Sequence, residues 1–588
     1  MNEVVLLNLS YYIPLSTKAL ARGLKKEGIL CDILDFSDAW DKVSMDRKRG
    51  TFDPRDFPAF ISEVRKDLEK HQKEYSRFKF FGVSFYDWEG EKNITFPVSR
   101  LIKELFPKAY LIGGGPAFNT NPKGFFSAAK LDYAITGEGE NALPALVKAL
   151  MTKDFEGIRR LDGVIQRKNG RIILPQKKAM LTHEEIANSP IIYTVEGNGW
   201  AITYTERGCS NACVYCSVPR KGRPVPIKDE VILAGLRDLA KKRHILTIHF
   251  ADDQLFFDRE RTFRLFGKIR AEGLCNRFSF TGLATINSFI HKGKVDMELI
   301  AFLKKAHFID LAIGTEALND NILKELKSGR YSAIEAMKVN DALNRVGIKT
   351  SHFMLAGGIE TRARDFLESY YRGLARGLRH HGDYNQPSFV QAFKGTGLYE
   401  KGLKENALFT QRGRPFRGTS DRSTTAAFVV PKDPLLREVF LKNLRKGRKN
   451  INQYDAEQMI ELSKALDKRG ENFPGMTRRL QKQLGVILQF GDEKTNAYYN
   501  FYTKSLDREL KKSGFPETEG GLKKLLSNPA VKQRILTSAK TAAQHYVNEK
   551  EKVSRMKGLS RLRQIQKMRQ KFGFGMEVPI RFNPRSRK

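Results

Sequence analysis

The sequence lacks the features of a membrane-spanning or secreted protein. No run of about 18 uncharged apolar residues occurs in its 588 residues, which argues against a membrane-spanning helix. The amino terminus, MNEVVLLNLSYYIPL, has an acidic residue at Glu3 and no basic flank, unlike a signal peptide. Five cysteines are too few for a secreted protein stapled by disulfides. We therefore predict an intracellular, cytoplasmic protein without a membrane span.

Positive charge, by contrast, is plentiful and unevenly distributed. Lys and Arg total 103 against 66 Asp and Glu, which gives a net charge of +37. Residues 401–588 contain 42 basic and 18 acidic residues, a balance of +24, whereas residues 1–400 contain 61 and 48, a balance of +13. Such a basic region is typical of binding to a polyanion. We predict that it contacts RNA or DNA, with solubility as the alternative reason for the charge.

Residues 1–152 alternate short apolar strands with helices, a pattern typical of a parallel sheet covered on both faces. Ligands of such sheets bind at the carboxyl ends of the strands. We predict a doubly wound, Rossmann-like α/β domain here, and a connector at 153–199 that contains the hairpin GVIQRKNGRIIL. The strands are predicted at 3–9, 31–36, 79–86, 109–115 and 131–140, and their carboxyl ends at Ser10, Ser84, Gly113–Gly115 and Gly137–Gly139.

Residues 200–404 form a second α/β series of six strand–helix units. This number fits a partial (β/α)6 barrel, whose chemistry gathers at the carboxyl ends of its strands. Residues 405–588 are predicted to be a basic, mainly helical region, with the aromatics of 498–502 in its core. The barrel strands are predicted at 200–208, 245–253, 278–286, 309–317, 350–358 and 387–395.

Three cysteines lie within eight residues at the end of the first predicted barrel strand. The segment RGCSNACVYCSVP spaces Cys209, Cys213 and Cys216 as C-x3-C-x2-C, so that the thiolates can converge on one metal centre. A structural zinc site needs four protein ligands, and no fourth Cys or His lies at finger spacing. A [4Fe–4S] cluster bound by three thiolates keeps one iron open for a substrate or cofactor. The spacing therefore favours an iron–sulfur cluster over zinc.

The cysteine motif, with an aromatic residue before its last cysteine, resembles the signature of the radical S-adenosylmethionine (SAM) superfamily. The resemblance implies that Cys209, Cys213 and Cys216 hold a [4Fe–4S] cluster. Its open iron would chelate the amino and carboxylate groups of SAM, with Tyr215 near the adenine. One electron, from a flavodoxin- or ferredoxin-type donor, would cleave SAM to methionine and a 5′-deoxyadenosyl radical.

Four further segments resemble strand-end motifs of the superfamily members that carry an amino-terminal cobalamin-binding domain. They read IHFADDQLFFDRERTF, LAIGTEALNDNILKEL, FMLAGGIET and FVQAFKGTGLYE. The resemblance implies that Asp252 or Asp253 lies near the SAM amino group and Glu316 near its ribose. It also implies close approach of the backbone to SAM at three glycines, namely Gly314, Gly357 and Gly358.

Residues 1–152 resemble the cobalamin (B12)-binding domain of the same proteins, through LSTKALARGL, GVSF, LIGGGPAF and GEGE. The resemblance implies that Ser84, Gly113 and Gly114 approach the nucleotide tail of cobalamin. The D-x-H-x-x-G motif that supplies a lower axial histidine is absent, since the loop after the first strand reads SYYIPLS. We expect cobalamin to bind without a protein histidine, the alternative being that the cofactor has been lost.

These features predict a radical SAM enzyme, a transferase that methylates or otherwise modifies an unactivated carbon, on nucleic acid. One alternative is the same chemistry on a small molecule, lipid or peptide. Another is a non-catalytic iron–sulfur protein that binds nucleic acid. The tRNA methylthiotransferases have a similar cluster motif but carry a further cysteine trio in their amino-terminal domain, where this chain has only Cys31. We predict that His249, His352 and Cys275 are core residues.

Overall fold

The computed structural model describes most of the chain up to residue 481 and part of the remaining residues. The described residues are 3–10, 14–43, 57–85, 89–196, 199–218, 220–222, 224–242, 244–375, 387–410, 412–416, 426–446, 456–481, 505, 508–509, 512–513, 525 and 527–554. Within these ranges, no helix is both long enough and apolar enough to cross a membrane.

The first sheet has five parallel strands and an antiparallel hairpin at one side. Its strands are β1 Val4–Asn8, β2 Cys31–Asp35, β3 Phe80–Ser84, β4 Tyr110–Gly114, β5 Tyr133–Ile135, β6 Val164–Lys168 and β7 Arg171–Ile173. Their spatial order is β2-β1-β3-β4-β5-β6-β7, with β1 to β5 parallel and β6 and β7 antiparallel to their neighbours. The helices are α1 Leu15–Lys26, α2 Ser37–Val43, α3 Phe57–Lys70, α4 Gln72–Tyr75, α5 Glu89–Leu105, α6 Ala117–Thr120, α7 Pro122–Ala128, α8 Gly139–Met151, α9 Phe155–Arg160 and α10 His183–Ala187.

Helices cover both faces of this sheet, as the continuous apolar strands predict. Side chains alternate between the two faces of a strand. In β1, Val5 and Leu7 pack with α3 and α5, whereas Val4 and Leu6 pack with α1 and α8. The doubly wound fold is thus confirmed. The strand predicted at 131–140 is shorter than expected, because the chain turns at Gly137, whose φ is +99°.

The second sheet carries the barrel. Its strands are β8 Thr194–Glu196, β9 Trp200–Thr203, β12 Thr247–Phe250, β13 Ser279–Thr285, β16 Phe308–Glu316 and β17 Lys349–Met354, in the order β17-β16-β13-β12-β9-β8. All are parallel neighbours except β8, which runs antiparallel to β9. Two short antiparallel pairs lie outside it, β10 Glu206–Arg207 with β11 Val225–Pro226, and β14 Ile290–His291 with β15 Lys294–Val295. The helices are α11 Asp229–Ala240, α12 Arg259–Ala271, α13 Leu274–Arg277, α14 Met297–Lys305, α15 Asp320–Lys327, α16 Ala333–Arg345 and α17 Ala363–Ala375.

The sixth predicted barrel strand, 387–395, is only briefly part of the parallel series. Ser388 forms an isolated parallel bridge with Leu355, beyond the end of β17. The chain then continues as β18 Gln391–Phe393 and α18 Gly397–Lys404. β18 belongs to a separate antiparallel sheet with β19 Leu408–Phe409 and β20 Ala426–Val429. The partial barrel is confirmed, and its sixth strand is short because the chain leaves the parallel series after Ser388 and pairs with β20 instead.

Among the described residues after 405, the regular structure is helical apart from β19 and β20. Its described helices are α19 Pro434–Arg445, α20 Ala456–Lys468 and α21 Pro529–Ser554. Phe440 of α19 and Leu462 of α20 share a core with Phe366 of α17, so that these helices pack directly on the barrel. The aromatics predicted at 498–502 and the basic tail after residue 554 lie outside the described residues.

Candidate cluster and cofactor sites

The cysteine loop begins where β9 and β10 end, at the carboxyl edge of the barrel sheet. Gly208 precedes the first cysteine with a φ of +101°, and a Cβ there would lie 2.9 Å from the Arg220 carbonyl oxygen. The Cys209 N–H donates to that oxygen at 3.1 Å. Asn211 donates to the Cys209 sulfur through its main-chain N–H at 3.4 Å and its side-chain amide at 3.5 Å. Donors around a thiolate stabilise its negative charge.

The three thiols of the loop share one protected environment. Cys213 is buried, and Cys209 and Cys216 are partly exposed. Burial raises the pKa of Cys209 and of Cys216, and the neighbouring Cys213 raises both further. No three His, Cys, Asp or Glu side chains of the described residues are placed to hold a single metal ion. A four-iron cubane is larger than one ion, so its thiolate ligands stand farther apart.

Gln254 supports the first cysteine from the neighbouring strand end. It lies beyond the end of β12, and only 1 % of its surface is exposed. Its Oε1 accepts hydrogen bonds from the Ser210 N–H at 3.1 Å and the Ser210 hydroxyl at 2.7 Å, and it lies 3.5 Å from the Cys209 sulfur. Outer contacts of this kind orient the ligands of a metal centre.

A buried ion pair lies on the other side of the cysteine loop. Glu316, the last residue of β16, has a φ of +59°, and its Oε1 lies 3.1 Å from the Nζ of Lys327 at the end of α15. Burial alone would lower the pKa of Lys327, but the Glu316 carboxylate raises it above its ordinary value. Burial and Glu316 together raise the pKa of Tyr215, which contacts this carboxylate. Tyr331 donates to the Gly314 carbonyl at 3.1 Å.

Asp252 and Asp253 have different surroundings, although they are adjacent. Asp252 is buried, and its Oδ1 accepts from the N–H groups of Thr205 at 2.6 Å and Glu206 at 2.7 Å. Asp252 thereby accepts hydrogen bonds from these two amides beyond the point where the pairing of β9 with β12 ends. Asp253 is exposed and accepts a hydrogen bond from the Gly208 N–H. Only Asp253 presents its carboxylate to solvent.

A second buried carboxylate lies beside Asp252. The Glu206 Oε2 pairs with Arg261 of α12 at 2.9 Å, and both side chains are at most 5 % exposed. Burial and the Asp252 carboxylate raise the pKa of Glu206 well above its ordinary value. Among the described residues, Glu206 Oε1 and Asp252 Oδ2 have no hydrogen-bond partner. Two acids thus share one arginine beneath the strand ends.

The three glycines predicted to approach SAM also approach side chains of this chain. A Cβ on Gly357, whose φ is +109°, would lie 2.6 Å from the Thr361 hydroxyl. A Cβ on Gly358 would lie 2.3 Å from the Glu325 carboxylate, and one on Gly314 would lie 3.0 Å from Glu316 Oε1. The positive φ and the contact with Thr361 therefore suffice to require glycine at Gly357, whereas a side chain at Gly358 would have to displace the Glu325 carboxylate.

The carboxyl edge of the first sheet is made of small residues. Ser84 ends β3 and lies in register with Gly114 at the end of β4. A Cβ on Gly114 would have no neighbour closer than 3.8 Å, so the space beside it is open. Gly113 is different, because a Cβ there would lie 2.3 Å from Leu131. Gly114 thus borders space that a side chain could enter, the Ser84 hydroxyl lies beside Gly115, and Gly113 packs inside the domain.

The structure adds residues that the sequence did not single out, and it explains the strand histidines. Asn211 lies within the cysteine motif and Gln254 follows the paired aspartates, so position alone could have suggested both. His249 Nδ1 lies 2.8 Å from the Thr281 hydroxyl, and the buried His352 Nδ1 lies 2.7 Å from that of Thr315. Cys275 is buried, as predicted. Both histidines have polar partners within the barrel sheet.

The class of the barrel follows from its fold, its cysteine loop and a family comparison. The model of the radical SAM superfamily matches residues 204–369, which span the cysteine motif and strands β12 to β17. Residues 204–369 thus match the radical SAM superfamily, as the motif predicted, and the chain is an enzyme.

Individual relatives extend the likeness beyond the barrel. An uncharacterized methyltransferase of Pyrococcus horikoshii is 23 % identical over 373 residues, which are 60 % of this chain and 75 % of that protein. The fold is similar to that of a radical SAM methyltransferase from Kitasatospora setae, solved with cobalamin and a [4Fe–4S] cluster bound. That match has a TM-score of 0.57 and 15 % identity, and covers 83 % of this chain and all of the other.

A cobalamin-dependent SAM radical enzyme, solved with aqua-cobalamin and SAM bound, has a similar fold over nearly the whole chain. Its TM-score is 0.57 at 15 % identity, and the match covers 97 % of this chain and 84 % of that one. The combination of a cobalamin-type first domain with a radical SAM barrel is thus confirmed as the fold class.

Proposed function

We propose that this chain is a cobalamin-dependent radical SAM methyltransferase. The carrying observation is the loop of Cys209, Cys213 and Cys216 at the carboxyl edge of the barrel, with Asn211 donating to the first sulfur. Three thiolates and nearby amide donors suit a [4Fe–4S] cluster with one open iron. When bound, the cluster and SAM would supply a carbon-centred radical, and cobalamin would supply a methyl group for an unactivated carbon.

The SAM site would lie between the cysteine loop and the ends of β12, β16 and β17. Glu316 offers a carboxylate for the ribose hydroxyls, and Lys327 holds that carboxylate in one orientation. Tyr215 contacts Glu316 and would lie against the adenine. Asp253 is the better candidate for the SAM amino group, because the Oδ1 of Asp252 already accepts two main-chain hydrogen bonds. Gly314, Gly357 and Gly358 would border the ligand with backbone atoms.

Cobalamin would bind at the edge of the first sheet. Ser84 offers a hydroxyl, and Gly114 leaves open space beside the strand end. Gly113 would act indirectly, by letting Leu131 pack beneath that edge. The chemistry of this edge, a hydroxyl and exposed backbone, suits the neutral and amide-rich periphery of a large ligand. The likeness to structures solved with cobalamin supports the assignment.

The test is anaerobic reconstitution of the full chain with iron and sulfide, followed by SAM and dithionite in place of the flavodoxin- or ferredoxin-type donor that we propose. The product measured is 5′-deoxyadenosine, with and without added cobalamin. We expect formation that is lost in Cys213→Ala and retained in Cys275→Ala, since the thiol of Cys275 is buried apart from the loop. Cobalamin retained during gel filtration would support methyl transfer. Absence of SAM cleavage from a verified cluster would favour the non-catalytic iron–sulfur protein.

We propose nucleic acid as the substrate or partner, contacted by the basic carboxy-terminal region. Three cations, Arg508, Lys512 and Arg534, line a cavity of about 680 Å³ together with the hydroxyls of Ser505 and Ser538. The carboxylate of Glu509 also lines it and pairs with Lys512 at 3.4 Å and with Arg534 at 3.2 Å, so the cavity carries one acid among its cations. Cations and hydroxyls are the groups that contact phosphates of a nucleic-acid backbone. The net charge of +24 over residues 401–588 supports the same interpretation.

Salt dependence tests this partner. We expect the full chain to bind single-stranded RNA or DNA, and the triple variant Arg508→Gln, Lys512→Gln, Arg534→Gln to lose about 0.7 in the salt slope per phosphate contact removed. A matched triple variant on the first domain, at the exposed Lys66, Arg77 and Arg159, should bind as the wild type does. No salt-dependent binding would favour a small molecule, lipid or peptide as the substrate.

A further inference from the structure

Two arginines that flank the cysteine motif are bound by carboxylates of the first domain. Arg220 follows the last cysteine, and its Nε donates to Glu138 Oε1 at 2.8 Å while its Nη2 contacts Glu138 Oε2. Arg207 precedes the motif, and its Nη2 lies 2.7 Å from Glu140 Oε1. All four side chains are less than a fifth exposed. The Arg220–Glu138 pair is bidentate as well as largely buried, which makes its geometry specific.

Glu138 is itself held rigidly just beyond the end of β5. Its Oε2 accepts from the Leu181 N–H at 2.7 Å, and its own N–H donates to the Ala179 carbonyl at 2.7 Å. The preceding Gly137 has a φ of +99°, and a Cβ there would lie 2.0 Å from the Ala179 oxygen. The position of the Glu138 carboxylate is therefore fixed by main-chain contacts on both sides.

Arg220 connects the fixed Glu138 carboxylate to the first cysteine of the motif. Its carbonyl accepts the Cys209 N–H, and the Gly222 N–H donates to the Cys209 carbonyl at 3.0 Å. Its Nη2 also donates to the Leu181 carbonyl at 2.5 Å. One residue thus binds the cysteine loop through its backbone and the first domain through its side chain.

We propose that Glu138 and Arg220 are positioning residues that fix the cysteine loop relative to the carboxyl edge of the first sheet. Glu138 follows β5, so it lies at the same edge as Ser84 and Gly114, which end the neighbouring strands β3 and β4. The pair sets the separation between the cluster and the cobalamin edge, a role that rests on the proposed function. A methyl group moves over a short distance only if that separation is constant.

The first test is hydrogen exchange on the full-length chain without cofactors. In Glu138→Gln one oxygen can still accept, but the new NH2 group opposes an N–H donor at the other position, so the charge and the bidentate contact with Arg220 are lost. We expect the Cys209 and Gly222 amides to exchange at least about tenfold faster, while the amides of β9 stay as in the wild type. Arg220→Lys, which keeps the charge but cannot form two parallel hydrogen bonds, should give a smaller increase.

A matched carboxylate variant and a cofactor measurement complete the test. Glu27→Gln removes an exposed ion pair with Lys148 inside the first domain and should leave both amides unchanged. In the loaded chain, pulsed EPR between the reduced cluster and cob(II)alamin should give a broader distance distribution in Glu138→Gln.

Unchanged exchange at these two amides in both variants would overturn the role of Glu138 and Arg220. So would faster exchange throughout the chain, because a global effect marks general stabilisation. If the wild-type chain binds no cluster, the proposed function fails, whereas the exchange measurement still decides whether Glu138 holds the loop.

Discussion

The carboxyl edges of the two parallel sheets differ in the side chains that they carry. The edge of the first sheet has a hydroxyl at Ser84 and open backbone at Gly114. The edge of the barrel sheet has three thiols and two buried ion pairs, Glu206–Arg261 and Glu316–Lys327. Burying charge is costly unless it is paired, so each partner of these two ion pairs must be kept, whereas Ser84 and Gly114 carry no charge. Two sheets of similar topology thus carry different sites: an uncharged edge at Ser84 and Gly114, and a barrel edge with thiols and ion pairs.

The largest expected effect is loss of the cluster without loss of cobalamin. Cys213→Ala removes a ligand thiolate, so we expect cluster affinity to fall by more than the roughly 10–100-fold typical of losing an outer contact, measured as loss of bound iron and sulfide. Cobalamin retention on gel filtration should stay at the wild-type value, because the substitution leaves intact the Glu138–Arg220 pair that joins the cysteine loop to the first domain. Loss of both the cluster and cobalamin in Cys213→Ala would contradict the proposal that the two edges bind their cofactors independently.

The second-largest effect is expected on stability, when the Glu316 carboxylate loses its partner Lys327. Lys327→Met leaves the Glu316 carboxylate buried and unpaired, which should lower the free energy of unfolding by about 3–5 kcal/mol. The double variant Lys327→Met, Glu316→Gln should recover most of that loss, measured by denaturant unfolding. Both variants should bind SAM more weakly. Equal stability of the single and double variants would contradict the importance of this ion pair.

Cobalamin binding at the edge formed by Ser84 and Gly114 should depend on the space available beside Gly114. Gly114→Leu places a side chain in open space at a position without a positive φ, so the free energy of unfolding should barely change. We expect cobalamin affinity to fall at least tenfold, about 1.4 kcal/mol, while the cluster content is kept. Gly267→Leu, on α12 where a Cβ would have no neighbour within 4 Å, is the control and should retain both cofactors. Wild-type cobalamin affinity in Gly114→Leu would move the ligand away from this edge.

The smallest effect is a pH dependence specific to the barrel edge. Burial raises the pKa of Asp252 from 3.8 to about 6, so the folded chain binds this proton more tightly than the unfolded chain. Its contribution to stability is therefore lost as the pH rises through about 6. Relative to Asp252→Asn, the wild type should lose about 1.4 kcal/mol of unfolding free energy between pH 5 and pH 8.

Parallel unfolding curves for the wild type and Asp252→Asn over this pH range would mean that Asp252 does not titrate there. The matched variant Asp253→Asn removes an exposed carboxylate and should show a smaller pH-dependent difference. The two variants thus distinguish Asp252, which accepts main-chain hydrogen bonds, from Asp253, which faces solvent.

The parts of the molecule that were predictable from sequence are those determined by local spacing. The cysteine motif, the strand positions and the glycine-rich strand ends are each set within a few residues, and periodicity or turn chemistry reveals them. The short sixth strand was not predictable, because 387–395 reads as a barrel strand while its partner β20 comes from a segment beyond residue 405.

Long-range side-chain pairs were also beyond sequence reasoning. Glu138 and Arg220 are 82 residues apart, and nothing in the GEGE motif indicates that its first acid binds an arginine beside the cysteines. The same holds for Lys327, which reads as an ordinary basic residue at the end of an amphipathic helix but is buried against Glu316. Helix-dipole chemistry explains a cation at that position, whereas only the tertiary fold explains its burial.

The hairpin of β6 and β7 has a consequence for self-association. Without it, β5 would be an uncovered edge of a flat apolar sheet, a template on which strands of other molecules could add. With it, the outermost strand is β7, which is three residues long and begins with the exposed Arg171. Short, charged edge strands are poor templates for aggregation, so the hairpin protects the first domain from amyloid-like stacking during folding.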